Sequence, residues 1–255
     1  MIEQMMEFLS VNGFFSNPSV WGIGLAVVFG VIWLACYRPP LLTKPWLWAV
    51  LAGGAVLAPI AITVAAFPLR FGVSWLYGTY LSQEDITKWA LLLSLPSIYL
   101  FGLVREGFKL VPVVVYWWCN GKDIEPRLGL AAGAVSGAGF GILEAQWMLN
   151  YIFGSGWSWE SVQIQGLIAL GGFWEVFFIL GIQVAACALA GWGLARGQGW
   201  KFYLIAACVY LIPAYALVLV NTELITAVQA EFLIAAWALI ATGVVLWLRE
   251  KKSET

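Results

Sequence analysis

The feature that most constrains this chain is a succession of apolar runs long enough to cross a bilayer. A helix needs about 20 apolar residues to span the hydrocarbon core. Runs of about that length or longer cover residues 20–37, 46–67, 86–119, 128–153, 162–195, 200–220 and 232–248. In lipid every backbone polar group has to be paired within the protein, so such runs fold as helices. Charged residues make up only 11% of the chain, against roughly 25% in soluble domains. With a net charge of −1 and no basic cluster, nothing points to nucleic-acid binding. The expected fold is an all-α polytopic membrane protein, with one seven-helix domain over residues 20–248.

Two runs exceed one straight crossing. The run 86–119 contains Pro96 and Pro112, so a kinked or broken helix is expected. The run 162–195 contains Gly171 and Gly172 and is expected to start along the interface before entering the bilayer. Loop charges test the count, because basic residues favour the cytoplasmic side. With the N-terminus outside, nine basic residues fall inside (Arg38, Lys44, Lys122, Arg127, Arg196, Lys201, Arg249, Lys251, Lys252) and two outside (Arg70, Lys88). That asymmetry supports seven spans with the C-terminus cytoplasmic.

The flanks are short. Residues 1–19 lack the basic start and small-residue cleavage site of a signal peptide. Ile2, Met5, Met6 and Leu9 recur at helical spacing opposite Glu3, Gln4 and Glu7, which fits a helix lying in the interface or a frayed end. Residues 249–255 form a basic cytoplasmic tail. Cys36, Cys119, Cys187 and Cys208 form no CxxC pattern and are expected to be buried thiols rather than zinc ligands or disulfides.

Several polar residues do not belong in lipid. Arg105, Glu106 and Lys109 lie inside LVREGFKLVPVVVYWW, with Glu106 and Lys109 three apart on one helix face. Glu144, Gln146 and Asn150 follow a glycine-rich run, and Glu175 and Gln183 share a later span. Gly129, Gly133, Gly137 and Gly141 recur every four residues. They mark a face for close helix packing, and Glu144 follows on that face. Arg105, Glu106 and Lys109 are expected to contact Glu144 or Glu175 across helices. Two readings stay open: an architectural ion-pair network, or a polar intramembrane site.

An E-x-x-K helix, a G-x-G-F-G-x-x-E helix and a later helix with Glu and a distal polar residue resemble the glutamate-type intramembrane protease superfamily. That superfamily includes the PrsW, YhfC-like and CAAX-processing proteases. The resemblance covers roughly residues 103–215. It implies catalytic roles for Glu106 and Glu144, the role of third acid for Glu175, and histidine-like places for Gln183 and Tyr210, with Ala214 at an acidic partner's place. It also implies a water activated by carboxylates and histidines, in many accounts through a metal. The chain departs from that pattern. Arg105 stands where a first acid is expected, and the sequence has no histidine. A zinc site needs three protein ligands, and Arg105 repels a cation beside the acids that remain. No metal or other cofactor is therefore expected, and Glu106 and Glu144 read as vestigial.

The expected function is a non-catalytic scaffold or binding subunit in the cytoplasmic (plasma) membrane of a prokaryote. Its expected partner is another membrane protein, a peripheral enzyme or a second copy. The scaffold subunit of gamma-secretase is an analogue within the superfamily. Rival readings are an active, metal-independent protease and a small transporter. The first two spans carry small residues and no charge, at Gly22, Gly24, Ala26 and Gly30 and at Gly53, Gly54, Ala58 and Ala61. They are expected to present the face on which a partner packs.

Overall fold

The computed structural model of the chain describes residues 18–250. The interfacial helix expected near the N-terminus and the tail residues Lys251 and Lys252 lie outside them. Among the described residues all regular structure is helical. The elements are α1 (Val20–Tyr37), α2 (Trp46–Tyr80), α3 (Gln83–Lys88), α4 (Ala90–Cys119), α5 (Pro126–Gly154), α6 (Trp159–Gln165), α7 (Gly171–Ala195), α8 (Gly199–Asn221) and α9 (Ala227–Glu250). A 3₁₀ turn, Gly166–Leu170, joins α6 to α7.

Among the described residues, six helical segments are long and apolar enough to cross a membrane: α1, α2, Trp159–Ala195 containing α7, α5, α8 and α9. Large apolar side chains such as Val31, Val56, Leu217, Phe232 and Leu239 stand exposed on the outside of the bundle. Soluble monomers rarely expose so much contiguous apolar surface, and the six helices mark the chain as membrane-embedded. Helix α4 is 30 residues long, with Arg105, Glu106 and Lys109 buried and Val111, Val114 and Val115 turned outward.

The helix limits have local causes. Ser19 caps α1 by accepting the Gly22 N–H at 3.3 Å, and Pro39 and Pro40 follow its end. Helix α2 runs past the expected end of its span. Pro68 would press on the carbonyl four residues earlier, and a π-helical turn, Ala61–Ala66, takes up the misfit, with Phe67 N–H bonding the Ile62 carbonyl. Neither Pro96 nor Pro112 breaks α4. The break in that run falls upstream at Trp89, after the Ser82-capped turn of α3. The run 162–195 does break before its main helix. The break is at Gly166 (φ 70°), a left-handed conformation that glycine adopts without a Cβ penalty.

Helices α5 and α7 form the centre. Every residue from Gly129 to Gly141 is buried, as is every residue from Leu180 to Gly191. The ladder Gly129, Gly133, Gly137 and Gly141 faces α7. A Cβ on Gly129 would meet the Gly191 carbonyl at 2.6 Å, and one on Gly137 the Gln183 carbonyl at 2.7 Å. A Cβ on Gly133 would strike the backbone carbonyl of Cys187. Glycine there lets the two backbones touch. Helices α1 and α2 cover other sides of α5, and α8 and α9 lie against α7. Indole N–H groups tie the outer helices on: Trp33 donates to the Phe177 carbonyl and Trp237 to the Val209 carbonyl, each at 2.8 Å.

Two expectations need correction. The small residues of the first two spans mostly face inward. Gly22 abuts Asn150, Gly30 abuts Ile142 and Gly54 abuts the Ser136 carbonyl, while Ala26, Ala58 and Ala61 are fully buried. Their small size serves approach to α5 and does not leave a free small-residue face. The thiols differ as well. Only Cys187 is buried; Cys36, Cys119 and Cys208 are exposed on the bundle surface, because their helix positions point away from α5 and α7.

Substitution at the ladder should therefore be costly. Gly133→Ala is expected to lower stability by about 3 kcal/mol or more, since backbone cannot yield as a side chain can. Gly24→Ala, with nothing within 4 Å of its added Cβ, should be neutral or stabilising by up to about 1 kcal/mol. Reversible unfolding in detergent measures both.

Candidate functional site: an intramembrane charge cluster beside a cavity

The charged residues of α4 point into the bundle where α4, α5, α7 and α8 meet. Arg105 is 3% exposed, and Glu106 and Lys109 are fully buried. Arg105 pairs with Glu144 of α5 through Nη2 and Oε2. Its Nη1 donates to the Tyr210 hydroxyl of α8 at 2.6 Å. The same Glu144 Oε2 accepts the side-chain amide N–H of Gln183 at 2.5 Å. One carboxylate oxygen thus joins α4, α5 and α7, and the guanidinium adds α8.

Lys109 and Glu106 close a second pair within α4 at 2.5 Å. Phe140, fully buried on α5, lies between the pairs: the Arg105 guanidinium is 5.6 Å and the Lys109 ammonium 5.2 Å from its ring centre. An aromatic face attracts cations, more so when both are desolvated. Arg105 also sits 4.6 Å from the Tyr210 ring centre. Ser136 of α5 donates to the Lys109 carbonyl at 2.5 Å, a further tie between the two helices.

Of the expected cross-helix contacts, Arg105–Glu144 is present, whereas Glu106 and Lys109 pair with each other. Glu175 belongs to neither pair. It makes no hydrogen bond or ion pair among the described residues and borders a cavity instead. The reason is height. Eight residues separate Glu175 from Gln183, about 12 Å along α7, and Gln183 sits at the level of Arg105. Gln146 makes no bond to the cluster. Asn150 accepts the Ser19 N–H at 3.0 Å and anchors the start of α1.

The cavity has a volume of about 360 Å³ and lies among α2, α4, α5, α7 and α8. Glu144, Glu175 and Tyr210 border it with Arg70, Ser94, Ser97 and Asn221, while Phe101, Ile179, Pro213 and Leu217 contribute apolar wall. Ala214 borders it too. The Ser94 and Ser97 hydroxyls are spent on carbonyls of their own helix. No three acidic, cysteine or histidine side chains converge among the described residues: Glu106 faces Lys109, Glu144 faces Arg105, and Glu175 stands apart.

Tyr210, Phe140 and Ser136 were not legible as parts of the cluster. In the sequence Tyr210 stands out only by its place relative to a motif, and Phe140 and Ser136 sit in a run that reads as packing. The usable signal was spacing, since Ser136, Phe140 and Glu144 follow one another at four-residue intervals and so share one face of α5.

No protein-family model, curated protein or solved structure significantly matches this chain.

Removing one member of a closed buried pair strands the other. Glu144→Gln is expected to cost about 3–5 kcal/mol, since it leaves the Arg105 charge without a counter-charge. Tyr210→Phe removes one hydrogen bond to a charged group and should cost about 1.5–3 kcal/mol. Denaturant unfolding in detergent checks both, and the order of the two effects is part of the prediction.

Proposed function

We propose that this chain is a seven-span protein of the cytoplasmic membrane, with its N-terminus outside, that works without catalysis as a scaffold or binding subunit of a membrane complex. In this reading it keeps the helix frame of the glutamate-type intramembrane proteases. Helix α4 is the seventh crossing. Its length suits a tilted span, and its buried charges are turned away from lipid. The basic loops set the orientation.

The observation that carries the reading is the state of the two acids best placed to act as bases. Glu144 Oε2 receives both Arg105 and Gln183, and Glu106 Oε1 receives Lys109. A general base needs a proton acceptor within reach of a reacting water. An acid held by a buried cation is a poor acceptor and a strong structural tie. Arg105 in place of an acid converts a hydrolytic arrangement into a clamp across four helices.

One observation favours the metal-independent protease instead: Glu144 and Tyr210 border a cavity with room for water or a peptide segment. In that reading Glu144 is the base and Arg105 stabilises an oxyanion.

Wild-type and Glu144→Gln chains, compared at equal folded amounts in native membranes, separate the two. For a scaffold, the wild type co-purifies in mild detergent with a membrane partner or a second copy. The substitution lowers the folded yield, and at equal folded amounts no precursor accumulates. For a protease, association is unchanged and an uncleaved membrane protein builds up, visible by mapping protein N-termini.

A further inference from the structure

At the opposite end of the bundle from Glu175 lies a second recess of about 600 Å³. It is bounded by the end of α1, the loop into α2, the start of α5 and the end of α9. Four cationic side chains line it, Arg38, Lys44, Arg127 and Arg249, against two acids, Glu125 and Glu250. The lining therefore carries a formal net charge of +2, from four cations less two anions. We infer that this recess binds the phosphate group of a net-anionic phosphate ester, such as an acidic phospholipid headgroup.

Several features separate this recess from scattered surface charge. The cations come from three separate parts of the chain, the loop holding Arg38 and Lys44, the start of α5 and the end of α9, so the fold itself brings them together. Arg38, Lys44 and Arg127 have no carboxylate within ion-pair distance among the described residues. Two acids in the lining offset only half of the four positive charges, so a bound anion relieves the repulsion that is left. Arg249 is held in place: its Nη1 donates to the carbonyls of Tyr37 at 3.1 Å and Cys36 at 3.4 Å, the last turn of α1. Among the described residues its only carboxylate contact is a long one, 4.0 Å to Glu250.

Arg38 adds a backbone observation. It occupies the left-handed region, with φ 46°, at the C-terminal cap of α1. Glycine or asparagine is usual there, and another residue pays a steric penalty of about 1–2 kcal/mol. The chain places a guanidinium at that strained cap, on the rim of the recess. Guanidinium groups match phosphate oxygens through paired N–H donors, and three of them line the recess with a lysine. Basic recesses between membrane helices at the headgroup level suit acidic lipid headgroups.

The anion has two conceivable sources, a lipid headgroup or a soluble phosphate, and one experiment distinguishes them. The full chain is placed in nanodiscs of phosphatidylcholine with or without phosphatidylglycerol, and retained lipid is counted by native mass spectrometry. Inorganic phosphate is titrated separately while thermal unfolding is followed. The test variant is Lys44→Gln/Arg127→Gln, because both residues are exposed and neither side chain makes an ion pair among the described residues. Arg38→Gln is the second variant.

The expected result is selective retention of phosphatidylglycerol with a raised unfolding temperature, weakened roughly tenfold or more by the double variant. If inorganic phosphate produces the same stabilisation and displaces the lipid, the phosphate site stands and its occupant is soluble. Equal retention of both lipids, together with no response to phosphate, overturns the inference. So does unchanged selectivity in both variants when their unfolding without acidic lipid matches that of the parent.

Discussion

The burial of the Arg105 guanidinium is the constraint on which the rest of this structure depends. A charge at this depth costs several kcal/mol in a bilayer unless protein surrounds and neutralises it. Here that requires four helices at once. Helix α5 brings Glu144, α7 brings Gln183 to orient that carboxylate, α8 brings Tyr210, and α5 again supplies the Phe140 face. None of these side chains is long enough to reach if its helix stands a residue's width further out. The cluster therefore demands close packing of the helices around it.

The glycines meet that demand. In lipid there is little hydrophobic drive between helices, so association rests on packing and interhelical hydrogen bonds. The ladder Gly129, Gly133, Gly137 and Gly141 sets α5 directly against the backbone of α7. On its other sides α5 receives the small residues of α1 and α2, with Gly54 meeting the Ser136 carbonyl. A helix buried all round by its own neighbours becomes a rigid post. The charged side chains of α4 close onto that post, and the apolar surfaces of the outer helices are left to lipid.

Much of the frame was legible in the sequence, because apolar length and flanking prolines are local properties. The run 20–37 coincides with α1, and the runs over α5 and α8 match their helices within two residues at each end. What was not legible depends on rotation and height, which no local pattern encodes. Pro96 and Pro112 leave a kinked, tilted helix and a broken one both open; α4 runs on through both prolines, and the run is interrupted upstream at Trp89. Glu175 looks equivalent to Glu144 in sequence, yet two turns of α7 lift it out of the ion pairs and onto the cavity wall. The small residues of α1 and α2 signalled close packing correctly in kind, but not that α5 would be the partner.

The cluster and the cavity meet at Glu144, and the proposed reading turns on which of them that residue serves. If Glu144 is a structural tie, its chemistry is replaceable by any pair that fills the same space without charge. Replacing buried ion pairs with apolar residues is often neutral or stabilising. The most direct measurement is a double-mutant cycle on unfolding free energy with Arg105→Met and Glu144→Leu, with partner co-purification recorded for each chain. The account predicts that each single change costs several kcal/mol and that the double variant recovers most of that loss, a coupling of about 2 kcal/mol or more. It also predicts that the double variant keeps its partner. A double variant as unstable as the sum of the singles would contradict the clamp. A stable double variant in which an uncleaved membrane protein accumulates would contradict the non-catalytic reading.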